Sequence, residues 1–594
     1  MLLKPDSAEA HVYLSFSHNF ELLDTHVYDA TRKKPKNLYI VCNSLFSRGE
    51  RGMASEAEAD EEVEKAKEKQ GTEAEEATRR LMETIEDKVE KSLLEKIEEK
   101  EVDVVPEALV IGGGIAGMYA ALDIADAGFK VHLVERLPSI GGHMAQLDKT
   151  FPTLDCSACI LTPRLVDVGA HPNIDLMTYS EVVGVEGSIG NFKVKVLKKA
   201  RYVDANTCTG CSLCEEACRL KGRYPNEFDV GLMKRAPIYR PFPFAIPAIY
   251  TIDNTQCLML TKGKCGKATL ESTAEAIKKK ERGEEVTKNE APPCVMACDA
   301  LSIRHDMQDE IVELNVGGII VATGYDIIPP EIMPEYKYGV YPQVIHGLEF
   351  ERYSSASGPT MGKMNVAGMP EPKDAVFISC VGSRNKQTGY EYCSRVCCMY
   401  LAKQAHLLQE KVPNCNISVL YQDVRAFGKD FEEFYTRVKG EGLSYRRGLA
   451  AEIYKKPGSD RVVVRAEDTM LGEPFELEVD LVVLGVGLKP SEGMDKLLEM
   501  LGVGLTPDNF AKEAHPKFRP VDTDVPGVFV TGCAQGPKDI PDSVAQAKGA
   551  AGAILAVLAR GKATIKPLVA EMEEAMCMES NTLKEMAAKI EAGS

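Results

Sequence analysis

The chain has 594 residues, 44% of them hydrophobic and none a tryptophan, with a net charge of −18. That length predicts roughly two to four domains, and the charge argues against a nucleic-acid partner, whose phosphates need clustered Lys and Arg. No apolar run of about 18 or more residues occurs, so no transmembrane segment is expected, and the N-terminus lacks the features of a secretory signal, which predicts a cytoplasmic protein.

Residues 1–53 are poorly patterned and hold Cys42. Residues 54–104 are rich in Glu and Lys, and Leu81, Ile85, Val89, Leu93 and Ile97 recur every four positions. That spacing fits one narrow stripe on a helix, either a solvated linker or a partner-binding coil.

From residue 105 to 200 the pattern becomes strand, glycine turn, helix, strand. Gly112-x-Gly114-x-x-Gly117 follows the strand-like ALVI and opens a helix at Ile115 and Ala116, and Glu135 and Arg136 end the next strand. This is the context of a dinucleotide fingerprint. The first glycine makes the turn, the second admits a pyrophosphate, and the third permits close helix packing. Glu135 can accept from the adenosine ribose; a purely structural glycine turn is the competing reading. A second glycine pair precedes His143 (Gly141-Gly142-His143). GIIVATG, ending at Thr323 and Gly324 within residues 302–370, and VPGVFVTGC, ending at Gly532 and Cys533 within residues 491–560, resemble the return and closing strands of two-dinucleotide flavoproteins, which favours FAD over NAD. Where most such proteins place an aspartate on the ribityl chain, this chain has Cys533. The segment 371–490 predicts a second Rossmann-like domain, but its strand AVFIS runs into Cys380-Val-Gly-Ser-Arg384 with no glycine fingerprint. Direct reduction by a nicotinamide is therefore not expected. Further strands are expected at 317–323, 375–379, 417–420, 481–484 and 528–531 and a helix at 543–559, with a tail (561–594) holding Cys577.

Eighteen cysteines in a cytosolic chain point to metal or redox chemistry when they stand at ligand spacing. Within an insert at 201–301, Cys208, Cys211, Cys214 and Cys218 have the bacterial ferredoxin spacing, with Arg219 in place of the usual proline. A second, stretched run comprises Cys257, Cys265, Cys294 and Cys298, interrupted by a Lys/Glu-rich stretch expected to be a solvent-facing loop. Crossed ligation would pair Cys208, Cys211, Cys214 and Cys298 on one [4Fe-4S] cluster and Cys218, Cys257, Cys265 and Cys294 on the other; zinc is the competing reading. Cys380, Cys393, Cys397 and Cys398 form a third group of no standard spacing, either cluster ligands or structural thiols. Cys156 and Cys159, in DCSAC, supply half a cluster or a redox-active pair beside the flavin.

Together VIGGGIAG, GGHMAQLDKTFPTLDCSACILTP, the ferredoxin-like insert, CVGSRNKQTGYEYCSRVCCMY and GCAQGPKDIPDSVAQA resemble the A-type, iron–sulfur flavoprotein subunits of heterodisulfide reductases (the HdrA family) over roughly residues 106–560. The resemblance implies an α/β, thioredoxin-reductase-like two-dinucleotide-binding flavoprotein fold with an inserted two-cluster ferredoxin domain. It implies a third cluster, near the flavin, on Cys380, Cys393, Cys397 and Cys398. It also implies that Lys403 lies near the flavin ring, with Glu349 or Glu351 as its acidic partner. The cysteine-containing N-terminal domain and the further C-terminal ferredoxin domain of longer members are not recognisable. The implied function is electron bifurcation or confurcation among a hydrogenase or formate dehydrogenase type donor, ferredoxin and a disulfide-type acceptor. Expected partners are ferredoxin, B- and C-like heterodisulfide reductase subunits and the small subunit of a hydrogenase or formate dehydrogenase, around a homodimer of larger heteromers. A non-bifurcating conduit, as in quinone-interacting membrane-bound oxidoreductase complexes, shares every motif. A scaffold with structural clusters is disfavoured by the glycine fingerprint.

Overall fold

The computed structural model describes residues 100–565 and the strands Ala10–Phe16 and Leu22–Asp29. The expected helical stripe from Leu81 to Ile97, with Cys42 and Cys577, lies outside the described residues. The chain divides into two compact units, Met1–Glu101 with Thr564–Ser594 and Val102–Ala563. In the first, Ala10–Phe16 and Leu22–Asp29 pair antiparallel.

The second unit is built on two five-stranded parallel sheets. One runs in the order Val528–Val530, Gly318–Val321, Glu107–Ile111, Lys130–Glu135, Ile174–Thr178. Its central strands are apolar without alternation, as a sheet covered on both faces requires: Ala108, Leu109 and Val110 are fully buried. The helices Ile115–Asp126 and Ile540–Arg560 lie against one face, where Met118, Ile124, Ala550 and Ile554 share a core. Lys548 on the second helix pairs with Asp123 on the first at 2.7 Å. The other sheet runs Val344–His346, Leu481–Val486, Asp374–Val381, Asn416–Tyr421, Ser444–Arg447. Each is accompanied by a three-stranded antiparallel sheet. This is the two-dinucleotide α/β architecture read from the sequence, and the expected strands and closing helix all form.

Two local expectations change. Val344–His346 pairs with Leu481–Val486, so the second sheet begins within 302–370, the segment assigned to the first domain. The Lys/Glu-rich stretch between Cys265 and Cys294 is not a simple loop but holds a helix, Leu270–Glu281, closed by a capping box between Thr269 and Ser272. Thr273, Ala276 and Ile277 are its only buried positions, a stripe too short to stand out among the charges. Among the described residues no helix is long and apolar enough to cross a membrane.

Candidate functional site

The glycine turn connects Glu107–Ile111 to the helix at Ile115 at the C-terminal edge of the first sheet, where open α/β sheets bind ligands. Gly112 has φ +109°, and a Cβ there would sit 2.3 Å from the Ala322 carbonyl oxygen; at Gly117 a Cβ would sit 1.8 Å from Gly112 O. At Gly114 a Cβ would meet nothing within 4 Å. The turn is thus closed on the protein side and open beyond Gly114, where the helix begins with no side-chain cap on its amides. The space at Gly142 is also tight, its Cβ falling 3.1 Å from Gly114 Cα.

Glu135 is buried and accepts from the Gly113 amide at 2.6 Å and the Leu137 amide at 2.8 Å. Burial pushes its carboxyl above the usual range against those two hydrogen bonds. Arg136 instead donates to Glu492 O at 2.8 Å and is half-exposed. Thr323 and Thr531, at the ends of neighbouring strands, bury hydroxyl oxygens that have no protein partner. Gly324 borders open space, while Gly532 packs against Ala116. An uncapped helix start, an open cradle at Gly114 and two orphaned hydroxyls along one sheet edge fit an extended dinucleotide. Cys533 is buried, its thiol pushed up by burial, with Sγ 3.4 Å from Lys538 O. Lys538 Nζ donates to Gly532 O, Gly536 O and Gln535 Oε1, and burial lowers it to about 8.

His143 stacks on Tyr325 at 4.4 Å between ring centres and contacts Tyr325 O and Gln146 Oε1 through its two nitrogens. Behind this wall the helix Gly347–Ser354 carries Glu351 and Arg352, both 1% exposed. Lys403 Nζ lies 2.7 Å from Glu351 Oε1 and donates to Lys149 O at 2.7 Å. Glu351 also accepts from the Asp148 amide and the Gln404 amide group. Of the two expected acidic partners, then, Glu351 contacts Lys403. Glu349 caps its own helix through the His346 amide and accepts from Tyr338 OH. Arg352 donates to Asp229 Oδ1 at 2.9 Å and to Gln146 O at 3.1 Å, tying the insert to the segment after His143.

The four thiols of the third cysteine group are electrostatic neighbours. Cys380 lies at a register shift in Asp374–Val381 with φ +59°, Cys393 on the following loop, and Cys397 and Cys398 in the first turn of Cys397–Lys411. Burial, reinforced by the neighbouring cysteines, raises the Cys397 thiol well above the usual range and takes Cys398 to about 11. Arg384 pairs with Asp423 and reaches Cys380 Sγ at 3.9 Å, and Cys398 Sγ lies 3.6 Å from Asp423 O. Lys403 stands on the same helix as Cys397 and Cys398.

In the insert two cavities each gather four thiols. Cys208, Cys211, Cys214 and Cys298 line one. Cys218, Cys257, Cys265 and Cys294 line the other, with His305. Each takes three cysteines from one run and one from the other. Among the described residues no three His, Cys, Asp or Glu side chains close round a single ion; thiols spread over the walls of a cavity fit a multinuclear cluster. Cys156 and Cys159 are exposed at the start of Ser157–Ala170 and joined as a disulfide. Cys156 bridges to the Lys149 backbone, whose carbonyl receives Lys403.

Sequence reasoning missed Arg352, Asp229, Tyr325, Lys538 and His305. Charges inside GLEFERYS, a helix with seven of eight residues buried, were the one available signal for Arg352.

A family model described as an NAD(P)-binding Rossmann-like domain matches residues 110–171. A Methanothermobacter thermautotrophicus protein, named as the A subunit of an H2:CoB-CoM heterodisulfide,ferredoxin reductase, is 48% identical over 80% of this chain and 68% of its own length. The A-type iron-sulfur subunit of the CoB-CoM heterodisulfide reductase of Methanocaldococcus jannaschii is 46% identical over 85% and 72%. Among solved structures, thioredoxin reductase of T. acidophilum superposes with TM-score 0.41 at 14% identity, covering 76% of this chain and 99% of its own.

Proposed function

The chain belongs to the HdrA family, the A-type subunits of heterodisulfide reductases, and from that premise we propose that it is the FAD- and [4Fe-4S]-containing electron-transfer subunit of a heterodisulfide-reductase-like complex. In this reading it divides or merges electron pairs by flavin-based bifurcation or confurcation.

The observation that carries the reading is the grouping of Cys380, Cys393, Cys397 and Cys398 where a second glycine fingerprint would stand, with Cys397 and Cys398 on the helix that also bears Lys403. A bound flavin supplies the exchange between two-electron and one-electron transfer, and clusters supply one-electron transfer. Gly114 and the amides beyond it would hold the pyrophosphate, and Glu135, fixed by the Gly113 and Leu137 amides, would stand at the adenosine ribose. Thr323 and Thr531 offer hydroxyls to the same ligand. Glu351 and the Lys149 carbonyl hold Lys403 in one place, where its positive charge would favour negative charge developing beside it to the extent that Glu351 does not neutralise it. The half-buried His143–Tyr325 stack screens that side from water. The twelve cysteines of the three groups would hold three clusters, which would supply one-electron transfer.

The relatives' names join this family to H2, ferredoxin and a heterodisulfide. The proposed partners are accordingly ferredoxin, B- and C-like subunits and a hydrogenase or formate dehydrogenase type component. The test is anaerobic purification with flavin, iron and sulfide assays, followed by rapid mixing with NADH and by a flavin redox titration. One FAD, three clusters, no direct bleaching by NADH and two widely separated one-electron flavin potentials are expected. Stoichiometric bleaching by NADH, or a flavin with coincident potentials, would overturn the bifurcation reading.

A further inference from the structure

The two cysteine cavities of the insert differ in their walls. The one ringed by Cys218, Cys257, Cys265 and Cys294 also includes His305. The one ringed by Cys208, Cys211, Cys214 and Cys298 includes Asp299 and no imidazole. His305 is 7% exposed, and neither ring nitrogen has a hydrogen-bond partner in the protein. Leaving both imidazole nitrogens dry and unpaired costs free energy, so a partner within the cavity that it lines explains its position. The neighbouring backbone does not supply one: Arg304 donates to Tyr202 O, and Ile303 bridges to Val203. A neutral imidazole carries one N–H donor, and apart from the cationic Arg219, which offers it no acceptor, the polar groups His305 shares this cavity with are cysteine sulfurs.

Resting on the reading that these cavities take clusters, we propose that His305 donates a hydrogen bond to a sulfur of the cluster held by Cys218, Cys257, Cys265 and Cys294, and thereby raises that cluster's reduction potential. Reduction adds negative charge to the cluster, and a donor aimed at its sulfur stabilises the reduced form more than the oxidised form. The acidic Asp299 beside the other cavity acts in the opposite direction on its occupant. His305 is a positioning residue: it touches no electron donor or acceptor other than this cluster, and it makes two clusters of one ferredoxin-like domain unequal. Electrons entering the insert then rest on the cluster beside His305.

The experiment is a redox titration of the anaerobically purified full chain, followed by paramagnetic resonance, for wild type, His305→Phe and His305→Gln. A Cys265→Ser variant identifies which signal belongs to this cavity. In His305→Phe that signal should need a more negative potential, with the reduced-to-oxidised ratio at fixed potential falling about tenfold, equivalent to about 59 mV for one electron. The other insert signal should stay in place. His305→Gln, which keeps an N–H donor, should recover part of the shift. An unmoved signal in His305→Phe with full iron content overturns the proposal. So does an equal loss of iron from the Phe and Gln variants, which would make His305 a packing residue. Iron and sulfide assays on wild type, made first, reveal separately whether the cluster reading itself fails.

Discussion

Lys403 Nζ and Glu351 Oε1 stand 2.7 Å apart with both side chains 2% exposed, an ion pair sealed from water. Breaking a buried pair by removing one partner strands the other charge, whereas removing both does not. Lys403→Met should therefore lower stability by roughly 3–5 kcal/mol, and Lys403→Met with Glu351→Gln should restore most of it. Denaturant midpoints of the three proteins check this. Equal losses in the single and double variants would mean that the pair's packing matters and its charge does not.

Gly114 and Gly117 separate binding from folding. A side chain at Gly114 enters open space from an ordinary φ of −75°, while one at Gly117 drives into Gly112 O. Gly114→Val should fold with a thermal midpoint near that of the flavin-free wild type but purify without FAD, since its side chain occupies the cradle. Gly117→Val should be insoluble or destabilised by at least about 1–3 kcal/mol. Full FAD content in Gly114→Val would remove the cradle from the binding site.

How far the sequence discloses such a site depends on chain distance. The glycine turn, its two strands and the three cysteine groups are legible because their spacing along the chain is the signal. The crossed arrangement of the insert is legible for the same reason, through the ferredoxin rule. The pairs Lys403–Glu351 and Arg352–Asp229 join positions far apart in the chain, the latter 123 residues, and no periodicity announces them; only the family likeness put Lys403 beside an acid, and it left Glu349 and Glu351 open. His305 stands alone in SIRHD without a ligand-like partner nearby. Only the cavity wall reveals what it faces.

Glu349 makes stability depend on pH. Burial raises its carboxyl to about 7, opposed by the His346 amide and Tyr338 hydroxyl that donate to it. A carboxyl with a folded pKa above its unfolded value of about 4.5 binds more protons in the folded state between those values. Its contribution is fully present below the unfolded value and is lost as pH rises through 7. Glu349→Gln has no such proton to lose, so its stability relative to wild type should rise by roughly 3 kcal/mol between pH 4.5 and 8. Urea denaturation at pH 5, 6.5 and 8 measures the trend. A difference that stays constant with pH would show that Glu349 titrates normally.

The third cysteine group carries the functional reading, so its test has to separate ligands from buried thiols. Cys397 and Cys415 are both 5% exposed, and both lie in the second sheet's domain. Cys397 has Cys380, Cys393 and Cys398 as electrostatic neighbours, whereas Cys415 has the carboxylates of Asp374 and Asp480. Four thiolates this close would repel one another, so the sulfurs remain together only as neutral protonated thiols or as ligands whose charge a metal centre neutralises, and binding a centre would release their protons. Cys397→Ser should then lose about four irons per chain and one reduced-state resonance signal while keeping FAD, because the glycine turn lies on the other sheet. Cys415→Ser, which removes an equally buried sulfur, should keep every iron. Arg384→Leu should retain the cluster but lower its potential, since the guanidinium near Cys380 Sγ favours the more negative reduced form. Anaerobic iron and sulfide assays on the two serine variants, with resonance spectra of the reduced proteins, decide the matter. If Cys397→Ser and Cys415→Ser hold the same iron as wild type, the four thiols are structural and single electrons must leave the flavin by another route.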